Sequence, residues 1–202
     1  MARLTFDLID SLLMHWHDGG DSSFPRWCPM IRTILALSAL LLSAAGSLAQ
    51  DFPKPGPEHA LLAEAAGEWD AVMLMGGQKA QCKATYKAAC NGMWVVSEFE
   101  GDLGGIPFKG HGIDGYDATK KKYTGIWVDS MSTAPLIMEG NFDAAGKVLT
   151  MSGTSVGPDG QPQKFRTTTE KSGNDKMTFK MYMGKPEGKE EHAFTVEYTR
   201  KK

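Results

Sequence analysis

The sequence predicts an all-β domain: an antiparallel up-and-down β-barrel of about ten strands, preceded by one short helix. Three observations carry this expectation: evenly spaced turn signals, period-two alternation between them, and links too short for crossover helices. After Gly67, turn signals fall at Gly76-Gly77, Asn91-Gly92, Gly101 to Gly105, Asp117 to Lys121, Ser130 to Ala134, Asp143 to Gly146, Gly157 to Gly160, Ser172 to Asp175 and Gly184 to Gly188. These nine turns separate ten strand-length segments. Short links pair each strand with its sequence neighbour, and closing such a meander removes its two exposed edges. A barrel of this strand number encloses more room than small side chains fill.

The elements follow in order. Pro57-Glu58-His59 opens a helix over Glu58 to Ala66, with Pro in the first turn, Glu58 at the positive end of the dipole and Gly67 as terminator. Several later segments alternate cleanly. Cys82, Ala84, Tyr86 and Ala88 share one face, as do Met177, Phe179, Met181 and Met183, and then Phe194, Val196 and Tyr198. One apolar face at period two describes half-buried antiparallel strands.

Composition narrows the class. The 202 residues suit one domain with a substantial core, and 42% hydrophobic with 23% charged residues excludes a disordered or collagen-like chain. A formal net charge of -2 lacks the basic surplus of a nucleic-acid binder.

Ahead of the barrel, Met30-Ile31-Arg32-Thr33, the apolar run Ile34 to Leu42 and the ending Ser47-Leu48-Ala49 form a secretory signal peptide over 30–49. The run softens too early for a membrane span of about 20 residues. Cleavage is expected between Ala49 and Gln50, which makes the protein periplasmic or secreted, with no stable membrane insertion afterwards. Residues 1–29 hold four Asp and no Lys, a poor lead-in to a signal, so Met30 is read as the true start. Residues 50–57 are a Pro-rich lead, and 58–202 form the domain. Cys82 and Cys90 remain after cleavage. On one strand they lie roughly 26 Å apart, so both are expected as unpaired, buried thiols.

Gly67-Glu68-Trp69 begins the first segment and Tyr198-Thr199-Arg200 ends the last. This resembles the calycin (lipocalin-like) arrangement, in which such a Trp plugs the barrel floor beneath a terminal Arg, a cation–π contact. Gly101 to Gly110 (Gly-Asp-Leu-Gly-Gly-Ile-Pro-Phe-Lys-Gly), Gly115-Tyr116-Asp117, Lys122-Tyr123, Trp127 to Thr133 (Trp-Val-Asp-Ser-Met-Ser-Thr) and Glu139-Gly140 are more specific. On them the chain resembles the domain of unknown function 1579 family over about Gly67 to Arg200. It departs at Cys90-Asn91-Gly92, where that pattern has an aliphatic residue before a Gly pair.

The chemistry-bearing residues are few. Three His remain after cleavage (His59, His111, His192), with no Gly-x-Ser-x-Gly elbow, His-x-x-x-His, Cys-x-x-Cys or calcium loop. Asp129 and Ser130 are read as turn residues, Asp114 and Asp117 likewise, and Glu98 with Glu100 as a solvated edge. Catalytic and metal-binding residues are therefore read as none. The favoured function is non-catalytic binding of a small apolar or amphipathic molecule, with Trp69, Met73, Tyr86, Trp127, Phe179, Met181 and Arg200 as candidate ligand-binding residues. For most of the apolar ones, plain core packing is the competing explanation. One alternative is a barrel-mouth hydrolase or isomerase in which Asp129, Tyr116 and His111 converge. A second is a haem protein like the nitrobindin-type barrels the fold resembles, with His111 facing the cavity as iron ligand. Otherwise no cofactor is expected. A purely structural role would require a filled barrel.

Overall fold

The computed structural model describes residues 52–157, 160–185 and 188–202. The expectations for residues 1–49 lie outside these described residues. Pro57–Ala63 forms α1. Ten strands follow: β1 (Gly67–Met75), β2 (Gln78–Ala89), β3 (Trp94–Asp102), β4 (Pro107–Asp117), β5 (Lys122–Asp129), β6 (Leu136–Phe142), β7 (Val148–Val156), β8 (Pro162–Lys171), β9 (Lys176–Gly184) and β10 (Glu191–Arg200). Each strand pairs antiparallel with its sequence neighbours, and β1 pairs with β10, closing the barrel. The turn spacing and the hydrophobic alternation both report this architecture. A two-residue phase puts one side chain in, the next out, on every strand.

The helix ends three residues earlier than the sequence suggests. Ala65 N–H bonds Leu62 C=O at 3.1 Å and Ala66 N–H bonds Ala63 C=O at 2.9 Å, tightening the last turn. The terminal carbonyls then face the barrel. Trp69 Nε1 donates to Ala65 C=O (2.9 Å), Arg200 Nη1 to Ala66 C=O (2.5 Å) and Arg200 Nη2 to Glu64 C=O (2.8 Å). Groups that any helix end leaves orphaned are thus satisfied by β1 and β10, and the guanidinium sits at the negative end of the helix dipole. Gly67 makes the approach possible: its φ is +136°, and a Cβ there would collide with Arg200 Nη1.

Further contacts seat α1 across this end. Tyr123 O–H donates to Glu58 C=O at 3.2 Å, and Lys171 Nζ donates to Leu61 C=O at 3.2 Å while passing 4.7 Å above the Phe142 ring. The links after β2, β4, β6 and β8 lie at the same closed end. Those after β1, β3, β5, β7 and β9 gather at the other.

Both cysteines among the described residues, Cys82 and Cys90, are free. Cys82 is buried on β2, but Cys90 is exposed, correcting the expectation of two buried thiols. It stands in a turn, Cys90–Gly92, whose three residues all take positive φ (49°, 57° and 85°) and so leave the strand's in–out phase. On the outside, Ile113, Ile126 and Ile137 form an exposed cross-strand row over β4, β5 and β6. No helix among the described residues is long and apolar enough to cross a membrane.

Candidate functional site in the barrel lumen

The interior is not one continuous core. One cluster gathers Trp69, Ala71, Cys82, Phe99, Val196 and Tyr198 with their neighbours beside the β1–β10 seam. A second gathers Leu62, Val95, Tyr123, Leu149, Met151 and Met181 across the barrel, partly on α1. Tyr86, Trp127, Phe179 and Phe194 pack against both clusters yet are only partly buried. Their remaining surface faces the lumen, because all four belong to the inward phase of their strands. Closed walls with partly buried aromatic side chains on their inward phase make the lumen the candidate site.

This divides the sequence-derived candidates. Trp69 (2% exposed), Met73 (6%) and Met181 (8%) are core packing residues. Burying each contributes roughly 1.5–3 kcal/mol. Arg200 belongs to the floor, stacked on Trp69 and bonded to the helix carbonyls. Tyr86, Trp127 and Phe179 lie on the inward phase of their strands, as does Phe194, whose ring lies 5.9 Å from that of Phe179.

Trp127 owes its position to two features. Gly110 and Gly112 leave the middle of β4 without inward side chains, and the indole fills that space, so that a Cβ at Gly110 would run into the ring. Its Nε1 donates to Asp129 Oδ2 at 2.8 Å, while Asp129 Oδ1 accepts from Met131 N–H at 2.8 Å. Asp129 therefore ties the turn down, as expected, and also orients the indole.

His111, the iron ligand of the haem alternative, does not reach the cavity wall: it is exposed on the outer face of β4. Phe108, Gly110 and Gly112 occupy the inward phase, which leaves the odd positions outside. There it borders an open depression of about 370 Å³ among Lys83, Glu98, Glu100 and Lys109. His111 does not fit as ligand to an iron inside the barrel. Nor do the three residues of the enzyme alternative converge: Tyr116 packs on His59 and Tyr123, Asp129 holds its turn and His111 meets solvent. Among the described residues, no three His, Cys, Asp or Glu side chains gather as a metal site.

Asp114 is the residue the sequence reading missed. Asp117 does shape a turn, accepting from Thr119 and Lys120 N–H at 2.9 and 3.1 Å, but Asp114 shares the inward phase of β4 with Gly110, Gly112 and Tyr116. Its carboxylate lies across Gly125, where a Cβ would collide with Oδ1. Burial alone pushes Asp114 up to about 7. Burial and the nearby Asp114 charge push Tyr86 up to about 12, against a lowering hydrogen bond from Tyr198, and Tyr198 is raised well above its ordinary value. The signal was present in the sequence: counting by twos from Phe108 reaches Asp114.

The closed antiparallel meander defines a calycin-like barrel, and Tyr86, Trp127, Phe179 and Phe194 on its inward phase mark the candidate site. The chain belongs to the family described as protein of unknown function (DUF1579), which it matches over residues 54–200. Two of the solved structures that share its fold illustrate the likeness. One is Rv2717c from M. tuberculosis (9% identity, TM-score 0.52, covering 73% of this chain and 99% of that one). The other is the S-type phycobiliprotein lyase CPES from Guillardia theta (10% identity, TM-score 0.51, covering 73% and 99%). No curated protein matches the chain.

Proposed function

We propose that this protein binds a small hydrophobic or amphipathic molecule inside the barrel, after export from the cytoplasm. The observation that carries the reading is the bridging set: Tyr86, Trp127, Phe179 and Phe194 face the interior, contact both core clusters and keep free surface between them. Four aromatic walls offer a large apolar contact area at little conformational cost, and Met183 on β9 adds an adaptable thioether beside them. The floor is sealed by α1, Trp69 and Arg200, so a ligand enters from the end where the other five links gather. The signal-peptide pattern read in the sequence over residues 30–49 supports the address.

Native mass spectrometry of protein isolated from its own host, together with a thermal-shift screen against lipids, fatty alcohols and aromatic compounds, tests this. A co-purified small molecule, or a melting temperature raised by an apolar compound in wild type but not in a Phe179→Asp variant, is the expected result. Ligand-free protein that no member of the panel stabilises overturns it.

A further inference from the structure

The lumen's polar groups say more about the ligand than its apolar walls do. Trp127 N–H has Asp129, Tyr123 O–H has a helix carbonyl, and Trp69 N–H has another. Asp114 differs. It is inward on β4, its carboxylate is packed across Gly125 beside the Met151 methyl, and no residue among those described donates a hydrogen bond or offers a cation to it. Its residual surface faces the lumen, next to Tyr86.

A half-buried carboxyl that no protein group pairs is left to water or to a bound group, and a bound group that meets it gains by displacing that water with a stronger contact. The missing partner has a defined chemistry. Above about pH 7 the group is ionised and can only accept, so the partner that favours this form is a donor. A positive charge on it gains twice here, once from the carboxylate and once from aromatic faces such as that of Tyr86. We infer that the lumen takes an amphipathic amine, its apolar body among Tyr86, Trp127, Phe179 and Phe194 and its ammonium group on Asp114. This rests on the binding function proposed above and specifies the ligand's head group.

The titratable neighbours agree with this assignment. Tyr86 faces Asp114 from β2, with Tyr198 behind it on β10. Tyr116 stands two residues along β4, and His59 of α1 packs against the Tyr116 ring at 5.9 Å. From β3, β5 and β7 the neighbours are Val95, Gly125 and Met151, none of them ionisable. His59 Nδ1 already accepts from Gly56 N–H at 3.0 Å, and its Nε2 is buried without a partner. Asp114 is thus the acid that governs cation binding, and its elevated pKa places the change in affinity near neutral pH.

Calorimetry with octylamine, octan-1-ol and octanoate tests the inference, since the three share one chain and differ in head group. Octylamine should bind the wild-type protein about tenfold or more tightly than octan-1-ol at about pH 8, with octanoate weakest. That advantage should shrink at about pH 5.5, where Asp114 takes up a proton while the amine stays charged. Asp114→Asn should abolish the advantage and keep the binding of octan-1-ol, which also reports an intact lumen. Should the variant lose octan-1-ol as well, the pH comparison on wild type decides. Octan-1-ol binding with no preference for the amine, or a preference that survives in Asp114→Asn, overturns the amine assignment and leaves lumen binding standing. If none of the three binds, both readings fall.

Discussion

The Arg200 guanidinium lies 4.1 Å above the Trp69 indole, and the two residues are also register partners where β10 closes onto β1. One pair therefore zips the barrel, seals its floor and takes up the helix's last carbonyls. Cation–π contact and charge-assisted hydrogen bonds act on the same side chain. Arg200→Ala should cost about 2–4 kcal/mol, read by urea denaturation. Arg200→Lys should recover less than half of that, because an ammonium lacks the planar fork that reaches two carbonyls and covers the ring. Full rescue by Lys would mean that charge alone matters at this position.

Asp114 should make stability depend on pH in the direction opposite to a paired carboxylate. Its folded value, about 7, is raised above the ordinary value of 3.8, so between these limits the unfolded chain has released the proton and the folded chain has not. Stability is complete below about pH 4, falls as pH rises and is lowest above about 7. The separation corresponds to a penalty on the order of 4 kcal/mol. Compared with wild type in thermal melts, Asp114→Asn should gain stability at about pH 8 and gain nothing at about pH 4. The same substitution is expected to remove amine binding, so the residue trades stability for function. A gap between the two proteins that is equal at both pH values would remove the basis for this account.

Gly110 should resist even the smallest side chain. An added methyl meets the Trp127 ring, and the ring cannot swing freely while Asp129 holds its Nε1. Gly110→Ala is expected to cost about 1–3 kcal/mol and to weaken lumen binding. Adding Asp129→Ala should recover part of that loss, because it releases the indole, giving a coupled rather than additive double-mutant cycle.

The two thiols should react at very different rates. Cys90 is exposed, whereas Cys82 is buried, and burial raises its pKa. With protein comprising residues 50–202, a chromogenic disulfide reagent should titrate one thiol rapidly and the second only on unfolding. Two fast thiols, or none, would contradict the placement of β2.

Export predicts a defined N-terminus. Protein recovered from its native host should have the intact mass of a chain beginning at Gln50. A chain that still begins at Met1 would refute the signal-peptide reading.

Much of this architecture was written locally. Turn residues at near-even spacing determined the number of strands, alternation determined the apolar face of β2, β9 and β10, and Trp69 with Arg200 marked the closed end. These features depend on φ preferences and on a strand period of two, both of which act over a few residues. What the sequence did not determine was depth. Trp69, Met73, Tyr86, Trp127, Phe179 and Met181 all read as inward, yet three pack in the core and three border the lumen, because period two sets the face and only closure and register set the distance from the barrel axis. In β4 even the face was hidden: with glycine at positions 110 and 112 there is little side-chain pattern to count, so the sequence leaves the side of His111 open and Asp114 reads as a turn residue. Pairing with β3 and β5 settled both, turning His111 to solvent and Asp114 into the lumen.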